Sequence, residues 1–457
     1  MRFKNVYKEE IKKYVAKNNL KYYIDTMGCA MNENDSSKYA GILESMGFTK
    51  AEDIDKSNLV LFNTCSVREN AENTLYGRLG SLKKKKKEDS NTIICVVGCM
   101  SQQKHVIEKI KESYPYTDIV LGTYSMISFP EKLYNVIMKK ERQYEYIEIS
   151  NDVIEEVPII YESDKKASVS IIYGCNNFCT FCIVPHVRGR ERSRMPEDIL
   201  KDVKHLAEKG YKEIMLLGQN VNSYGKDLNI NYTFADLLKD LDKIEGIEII
   251  RFTSPHPKDF SEDVIDVIAS SKKISHLLHL PLQSGNTRVL KKMNRKYTKE
   301  QYLELVDRIK SKIPDVSFST DIIVGFPGET AEEFEDTMDV VNKVKFEQIF
   351  MFIYSKREST PAAEMEDGIT YEEKVERLEI LKKKFEEITN EKNEKMIGQV
   401  YEILIEGKSK TNDKLYTGRT LNNKVVIFDA DETLVGKIVN VEIIKNNLWY
   451  LTGKIVG

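Results

Sequence analysis

The chain has 457 residues, of which 41% are hydrophobic and 31% charged, and its net charge is −3. At about 150 residues per domain this length calls for roughly three domains, and the composition excludes a disordered or fibrous chain. The slight negative balance excludes a uniformly basic nucleic-acid coat but allows local basic patches.

The opening "MRFKNVYKEEIKKYVAKNN" lacks the apolar stretch of a signal peptide, and no later run approaches the ~20 apolar residues of a membrane span. The expectation is a cytoplasmic protein without a membrane partner. Residues 1–20 read as a charged, helical N-terminal extension. Seven cysteines, an odd number, fit a reducing compartment in which thiols serve metals or catalysis.

From residue 21, β-rich runs alternate with helix-like segments at 32–47, 66–87 and 101–112. The runs are "KYYID" (21–25), "NLVLFNTC" (58–65), "TIICVVGC" (92–99) and "TDIVLG" (117–122). Continuous apolar runs separated by helices mark a buried parallel sheet, so 21–140 reads as a doubly wound α/β domain. Cys29, Cys65 and Cys99 each end a successive strand of it, at the edge where such sheets bind ligands. Any one alone reads as a core residue. Three in register can meet at one point and act as a ligand triad. Cys95, inside "TIICVV", reads as a core thiol, and the lysine block Lys83–Lys87 as a solvated helix end favoured by the dipole.

Residues 141–166 are acidic and irregular and read as a linker. Strand candidates then recur at 168–173, 213–218, 247–253, 276–281, 316–324 and 347–354, with helices between them. Six βα units are too few for a closed eight-fold barrel, so 167–390 reads as a partial (β/α)6 barrel with its site at the C-terminal ends of the strands.

The first of these strands runs into "GCNNFCTFCIVPHVRGRERSR". Cys175, Cys179 and Cys182 have the spacing C-x3-C-x2-C, and Gly174, Asn176 and Asn177 allow the backbone to curl around one centre. Three readings stand: buried or unligated thiols, a zinc site completed by His186, and an iron–sulfur cluster with one iron left open. Structural zinc takes four protein ligands whereas clusters are held by cysteine thiolates, which favours the cluster. Arg188, Arg190, Arg192 and Arg194 follow at every second position. They read either as a solvated, ion-paired loop or, beside such a centre, as a clamp on RNA phosphates; the clamp is the expectation.

After a charged helix at 371–398 the pattern becomes short alternating strands broken by Gly and Asn, the signature of a small antiparallel barrel over 391–457. Tyr416, Arg419, Phe428, Trp449 and Tyr450 allow base stacking there, although some of these aromatics must fill the barrel core.

A C-x3-C-x2-C loop after the first strand of a partial barrel resembles the radical S-adenosylmethionine (SAM) superfamily. The resemblance implies a 4Fe-4S cluster on Cys175, Cys179 and Cys182 whose fourth iron is chelated by SAM, with Phe181 near the adenine. Together "TMGCAMNENDS", "NTCSVRENAE", "VGCM", "GCNNFCTFCIVP", "RGRERSR", "LLGQNVNSYG", "FTSPHP", "LPLQSGN" and "DIIVGFPGET" resemble the methylthiotransferases, from about residue 21 to the end, and the terminal barrel is similar to their TRAM domain. "GQNVNSYG" and "TSPHPKD" place the likeness nearest the branch acting on N6-isopentenyladenosine at position 37 of tRNA. Other branches act on threonylcarbamoyl-adenosine in tRNA or on an aspartate of a ribosomal protein, and these are the alternative substrates the resemblance leaves for this chain.

The resemblance further implies an auxiliary 4Fe-4S cluster on Cys29, Cys65 and Cys99. It implies two SAM molecules per turnover, one methylating a sulfur at that cluster and one activating adenine C2. The implied partners are the tRNA anticodon loop and an electron donor such as flavodoxin or ferredoxin, and the chain is expected to be a monomer. The Gly-Gly-Glu that many radical SAM enzymes use for the SAM amino group is here "GQN", which puts Gln219 or Asn220 in that role. His186 stands where relatives commonly carry Tyr. The alternative of another class is a non-catalytic, metal-stabilised RNA-binding module, whose zinc would need a fourth ligand at each site that the sequence does not offer.

Overall fold

Strands β1 (Lys21–Met27), β2 (Thr49–Lys50), β3 (Leu59–Thr64), β4 (Ile93–Gly98), β5 (Ile119–Leu121) and β6 (Gln143–Glu145) form one parallel sheet in the order β2-β1-β3-β4-β5-β6. The computed structural model describes residues 2–66, 69–148, 150–409, 412–420 and 422–456. Every residue of β3 and β4 is buried because helices cover both faces of the sheet, and this is why those strands read as unbroken apolar runs. On one face α1 (Lys8–Asn18) and α2 (Ala30–Ser45) bring Ile11, Val15, Tyr39 and Ile42 onto Leu59, Leu61, Cys95 and Val97. On the other, α3 (Glu69–Glu88) and α4 (Lys104–Ser113) pack Leu75, Leu79, Val106 and Ile110 onto Val60, Phe62, Ile94 and Val96. Residues 67 and 68, the start of the helix expected over 66–87, lie outside the described residues.

Two expected boundaries move. The extension 1–20 is not outside the domain, since α1 buries Ile11 and Val15 in its core. Part of the linker 141–166 is also structured, because β6 pairs with β5 at the sheet edge. The rest runs back over α2, where Ile160 N–H donates to Ser37 O at 3.0 Å. A Cβ on Gly41 would meet Pro158 O at 2.3 Å, so only glycine allows this close approach.

The second unit contains β7 (Lys166–Ser170), a two-stranded hairpin of β8 (Ile172–Tyr173) and β9 (Arg192–Ser193), then β10 (Glu213–Leu217), β11 (Ile249–Phe252), β12 (Leu277–His279), β13 (Ser317–Val324) and β14 (Gln348–Ile353). Parallel sheets β11-β10-β7 and β12-β13-β14 are joined by a bridge between Ile250 and Ile274. Among the described residues no ladder joins β14 back to β7, so the six-stranded barrel stays open on one side. Phe350 and Phe352 on the edge strand β14 are exposed, while Ile349 between them and the barrel's helices is buried.

The third unit is a closed barrel, β15 (Val400–Ser409), β16 (Asn412–Arg419), β17 (Val425–Phe428), β18 (Ile438–Asn446) and β19 (Leu451–Ile455), in the order β15-β16-β17-β19-β18. One pairing, β17 with β19, is parallel and the others are antiparallel. Tyr416 and Phe428 fill its core, whereas Trp449 and Tyr450 are exposed. It docks on the N-terminal ends of the second unit's strands: Glu406, itself paired with Arg419 of the same barrel, pairs with Lys166, and Lys424 pairs with Glu347. Among the described residues no helix is long and apolar enough to cross a membrane.

Ile11→Ala is expected to destabilise the first unit by about 2–5 kcal/mol through the cavity it leaves. The measurement is amide exchange, which should quicken across β1 and leave β15–β19 unchanged. An unaltered pattern would show α1 to be an appendage.

Candidate metal centres

Each expected cysteine of the first unit sits where the chain leaves a strand. Cys29 is the N-cap of α2, Cys65 follows β3 and Cys99 follows β4, all at the C-terminal edge of the parallel sheet. The fully buried Asn32 ties them together. Its Oδ1 accepts from Cys29 N at 3.4 Å and Sγ at 3.3 Å, and its Nδ2 donates to Asn63 Oδ1 at 3.0 Å and Thr64 O at 3.2 Å. Gly98, at φ +104°, passes so close that a Cβ would meet Asn63 Oδ1 at 2.4 Å. A hydrogen bond from Cys65 and the positive Arg188 pull the Cys29 thiol down to about 6. Burial pushes Cys99 up, and Arg188 opposes that shift. Cys29 opens to solvent while Cys65 and Cys99 are buried, so the site has one open side.

The second triad is set by a sharply curled loop. Gly174 has φ +74°, and a Cβ there would meet Arg190 O at 2.0 Å; Phe178 also takes a left-handed conformation, φ 48°. Cys175 N–H donates to Gly189 O at 3.0 Å and Cys182 N–H to Cys179 O at 2.9 Å. From across the barrel Asn294 Nδ2 donates to Phe178 O at 2.9 Å, and Thr180 N–H to Met293 O at 3.0 Å. Arg295 Nη1 reaches Cys179 Sγ at 3.4 Å. Burial pushes the Cys175 thiol up to about 11 and the Cys182 thiol up to about 12.

Both triads fit iron–sulfur ligation. Burial penalises a bare thiolate, and a metal removes that penalty because a coordinated thiol is deprotonated outright. Among the described residues no three Cys, His, Asp or Glu side chains close around a single-ion site. Thiolates of a cluster each bind a different iron and so stand further apart than the ligands of one ion. His186, the fourth ligand a zinc reading would need, is exposed.

The four arginines require a correction. Three are buried between the first and second units and held by protein groups. Arg188 pairs with Asp35 at 2.7 Å and donates to Cys99 Sγ at 3.1 Å. Arg192 donates to Asp152 O at 3.3 Å and Arg188 O at 3.0 Å and lies over the Tyr124 ring. Arg194 pairs with Glu155 and with Asp202, the latter at 2.7 Å. A guanidinium spent on internal partners cannot clamp a phosphate. Only Arg190 of the four is exposed, 4.2 Å above the Phe178 ring.

Of the expected SAM contacts, Phe181 is half-buried against Val289, Met293, Phe326 and Tyr354. Gln219 Oε1 accepts from Gly174 N at 2.5 Å, so this side chain braces the cysteine loop. Asn220 is buried and donates to Glu191 at 3.1 Å and Asp259 at 3.0 Å, while its Oδ1 has no partner among the described residues. Sequence reasoning missed Arg295, Asn294 and Asn32. Of these only Asn32 carried a signal, as the N3 residue of a capping box that starts at Cys29.

Residues 169–341 match the radical SAM superfamily, residues 21–122 the "Uncharacterized protein family UPF0004", and residues 394–456 the TRAM domain. The chain is 50% identical over 450 residues to a tRNA-2-methylthio-N(6)-dimethylallyladenosine synthase of Acetivibrio thermocellus, covering 98% of this chain and 93% of that protein. It is 51% identical over 452 residues to the same synthase of Thermoanaerobacter pseudethanolicus, covering 98% and 96%. Among solved structures, the radical S-adenosylmethionine methyltransferase TsrM from Kitasatospora setae superposes with a TM-score of 0.54 at 14% identity, over 75% of this chain and 77% of that one. That likeness concerns the fold alone.

Gly174→Ala is expected to unseat one triad and spare the other. Anaerobic reconstitution should then load about four irons per chain where the parent loads about eight. Full loading would show that the loop tolerates a Cβ.

Proposed function

The chain belongs to the tRNA-2-methylthio-N(6)-dimethylallyladenosine synthases, which are radical SAM methylthiotransferases, and from that premise we propose that it transfers a methylthio group to C2 of N6-isopentenyladenosine at position 37 of tRNA. The observation that carries the reading is the pairing of two three-cysteine sites, each at the C-terminal edge of a parallel sheet, across one shared interface. In this reading Cys175, Cys179 and Cys182 hold the radical SAM cluster, and Cys29, Cys65 and Cys99 hold the auxiliary one. Bound there, two 4Fe-4S clusters and two SAM molecules per turnover supply the sulfur, the methyl group and the one-electron chemistry that activates the adenine C2–H bond.

The protein's own contribution is placement and shielding. Gln219 from one segment and the adjacent Asn294 and Arg295 from another hold the cysteine loop in one conformation. Phe181 presents an apolar face beside Cys182, backed by Met293 and Phe326. Of the two amides considered for SAM, Gln219 is spent on Gly174, whereas Asn220 Oδ1 is free to accept from the SAM amino group. Arg190, together with the exposed Trp449 and Tyr450 of the terminal barrel, offers the surface groups for tRNA. The radical step needs an external one-electron donor such as flavodoxin or ferredoxin, and we take the working form to be a cytoplasmic monomer.

Nucleoside mass spectrometry of tRNA from a deletion strain tests the substrate: 2-methylthio-isopentenyladenosine should vanish and isopentenyladenosine accumulate. Persistence of the thiolated nucleoside would overturn the reading. In purified enzyme, Cys175→Ala should abolish SAM cleavage, whereas Cys65→Ala should retain cleavage and lose thiolation. Equal loss of both in the Cys65 variant, with the other cluster intact, would refute this division of labour.

A further inference from the structure

Arg188 belongs to the barrel unit by sequence but to the other unit by its contacts. The chain leaves Cys182 through the short helix Val184–Val187, and Ile183 and Val187 pack directly against Cys99. Thr123 Oγ1 donates to Val187 O at 2.6 Å and fixes the far end of that turn. Arg188, 6% exposed, then enters the first unit. Its Nε donates to Cys99 Sγ at 3.1 Å, and its Nη2 meets Asp35 Oδ2 at 2.7 Å. Asp35 lies on α2, the helix capped by Cys29. One guanidinium therefore touches a cysteine sulfur and the helix that carries a second cysteine.

The other triad has a counterpart with a different balance. Arg295 reaches Cys179 Sγ, Tyr297 Oη and Pro281 O, and among the described residues it pairs with no carboxylate. Arg188 is offset by Asp35. Hydrogen bonds to the sulfurs and the local net charge set a cluster's reduction potential, and the reduced state carries the extra negative charge. A buried N–H donor to sulfur favours that state, because the low dielectric leaves the interaction unscreened.

We propose that Arg188 is a positioning residue of the auxiliary site, supplied by the barrel unit, which holds Cys99 in place and favours the reduced state of the cluster there, with Asp35 moderating its charge. The inference rests on the assignment of Cys29, Cys65 and Cys99 to one cluster. It makes that site complete only when the two units are docked.

The test uses the full chain with Cys175, Cys179 and Cys182 all changed to Ala, so that only the auxiliary cluster is loaded on anaerobic reconstitution with iron and sulfide. Iron content and midpoint potential, followed by EPR-monitored titration, are the readouts. Arg188→Gln should keep its iron and shift the midpoint to a more negative value. Arg188→Lys should fall between it and the parent, since the charge stays and the fork geometry goes. Asp35→Asn should shift the midpoint the opposite way. An unmoved midpoint in Arg188→Gln, or a negative or absent shift in Asp35→Asn, overturns the proposal. If Arg188→Gln loses its iron, the sign of the Asp35→Asn shift decides. A parent chain that binds no iron refutes the cysteine assignment and the proposal with it, whereas a loaded parent with unmoved variants refutes the role of Arg188 alone.

Discussion

Arg188 and Arg194 are both buried between the first two units, and a buried guanidinium costs stability unless protein groups replace its solvent. Asp35 from α2 meets the first, and Glu155 from the returning linker meets the second. Asn34 Nδ2 donates to Ser170 Oγ at 2.7 Å between them, and Lys38 Nζ to Tyr173 Oη at 3.0 Å. Removing one partner of a buried pair costs about 3–5 kcal/mol, far more than a surface ion pair contributes. The two units are thus held in one relative placement, and because the pairs sit at the C-terminal edges of both sheets, the two cysteine sites face each other.

The same burial that fixes the docking makes the thiols poor bare ligands. Cys175 and Cys182 are pushed towards the neutral thiol, and Cys99 likewise. A protein that places three such groups together, each triad with a guanidinium against one sulfur, has built for negative charge at both centres. Arginine suits this better than lysine, since its fork donates to sulfur and to a second group at once. Arg188 donates to Cys99 through Nε while its Nη2 forms an ion pair with Asp35; Arg295 divides its donors between Cys179, Tyr297 and Pro281.

The six barrel strands and the first-unit sheet were legible because a strand buried on both faces has no polar half to disguise it. The placement of Cys29, Cys65 and Cys99 was legible because the ends of successive parallel strands converge by topology, and that of Cys175, Cys179 and Cys182 because three thiols share one short loop. Arginine at alternate positions was not, since the same period describes a solvated loop and a strand wedged between domains; only the carboxylates from residues 35 and 155 distinguish them. Strand β6 escaped because "QYE" is half-buried and polar, and α1, expected as a helix, was placed outside the domain because just Ile11 and Val15 of its eleven residues are buried. The parallel pairing of β17 with β19 joins elements that no turn connects, so local pattern could not reveal it. Arg295 reaches Cys179 across 116 positions, and nothing in "NRKY" marks it.

The terminal barrel stands at the wrong end for direct chemistry, and this constrains how RNA is held. Its ion pairs go to Lys166, the first residue of β7, and to Glu347, just before β14, both at the N-terminal ends of the barrel strands. The cysteine loop leaves from the opposite end. Strand β13 has eight residues, so at 3.3 Å per residue the two ends lie about 26 Å apart. A tRNA touching Trp449 and Tyr450 therefore cannot be gripped at the modified base by the same surface; it must span the height of the barrel. On the side that β14 leaves unpaired, Phe350 and Phe352 are exposed. A base modified at the cysteine end and a body held at the terminal barrel would together require a substrate that spans the height of the barrel, as a tRNA does.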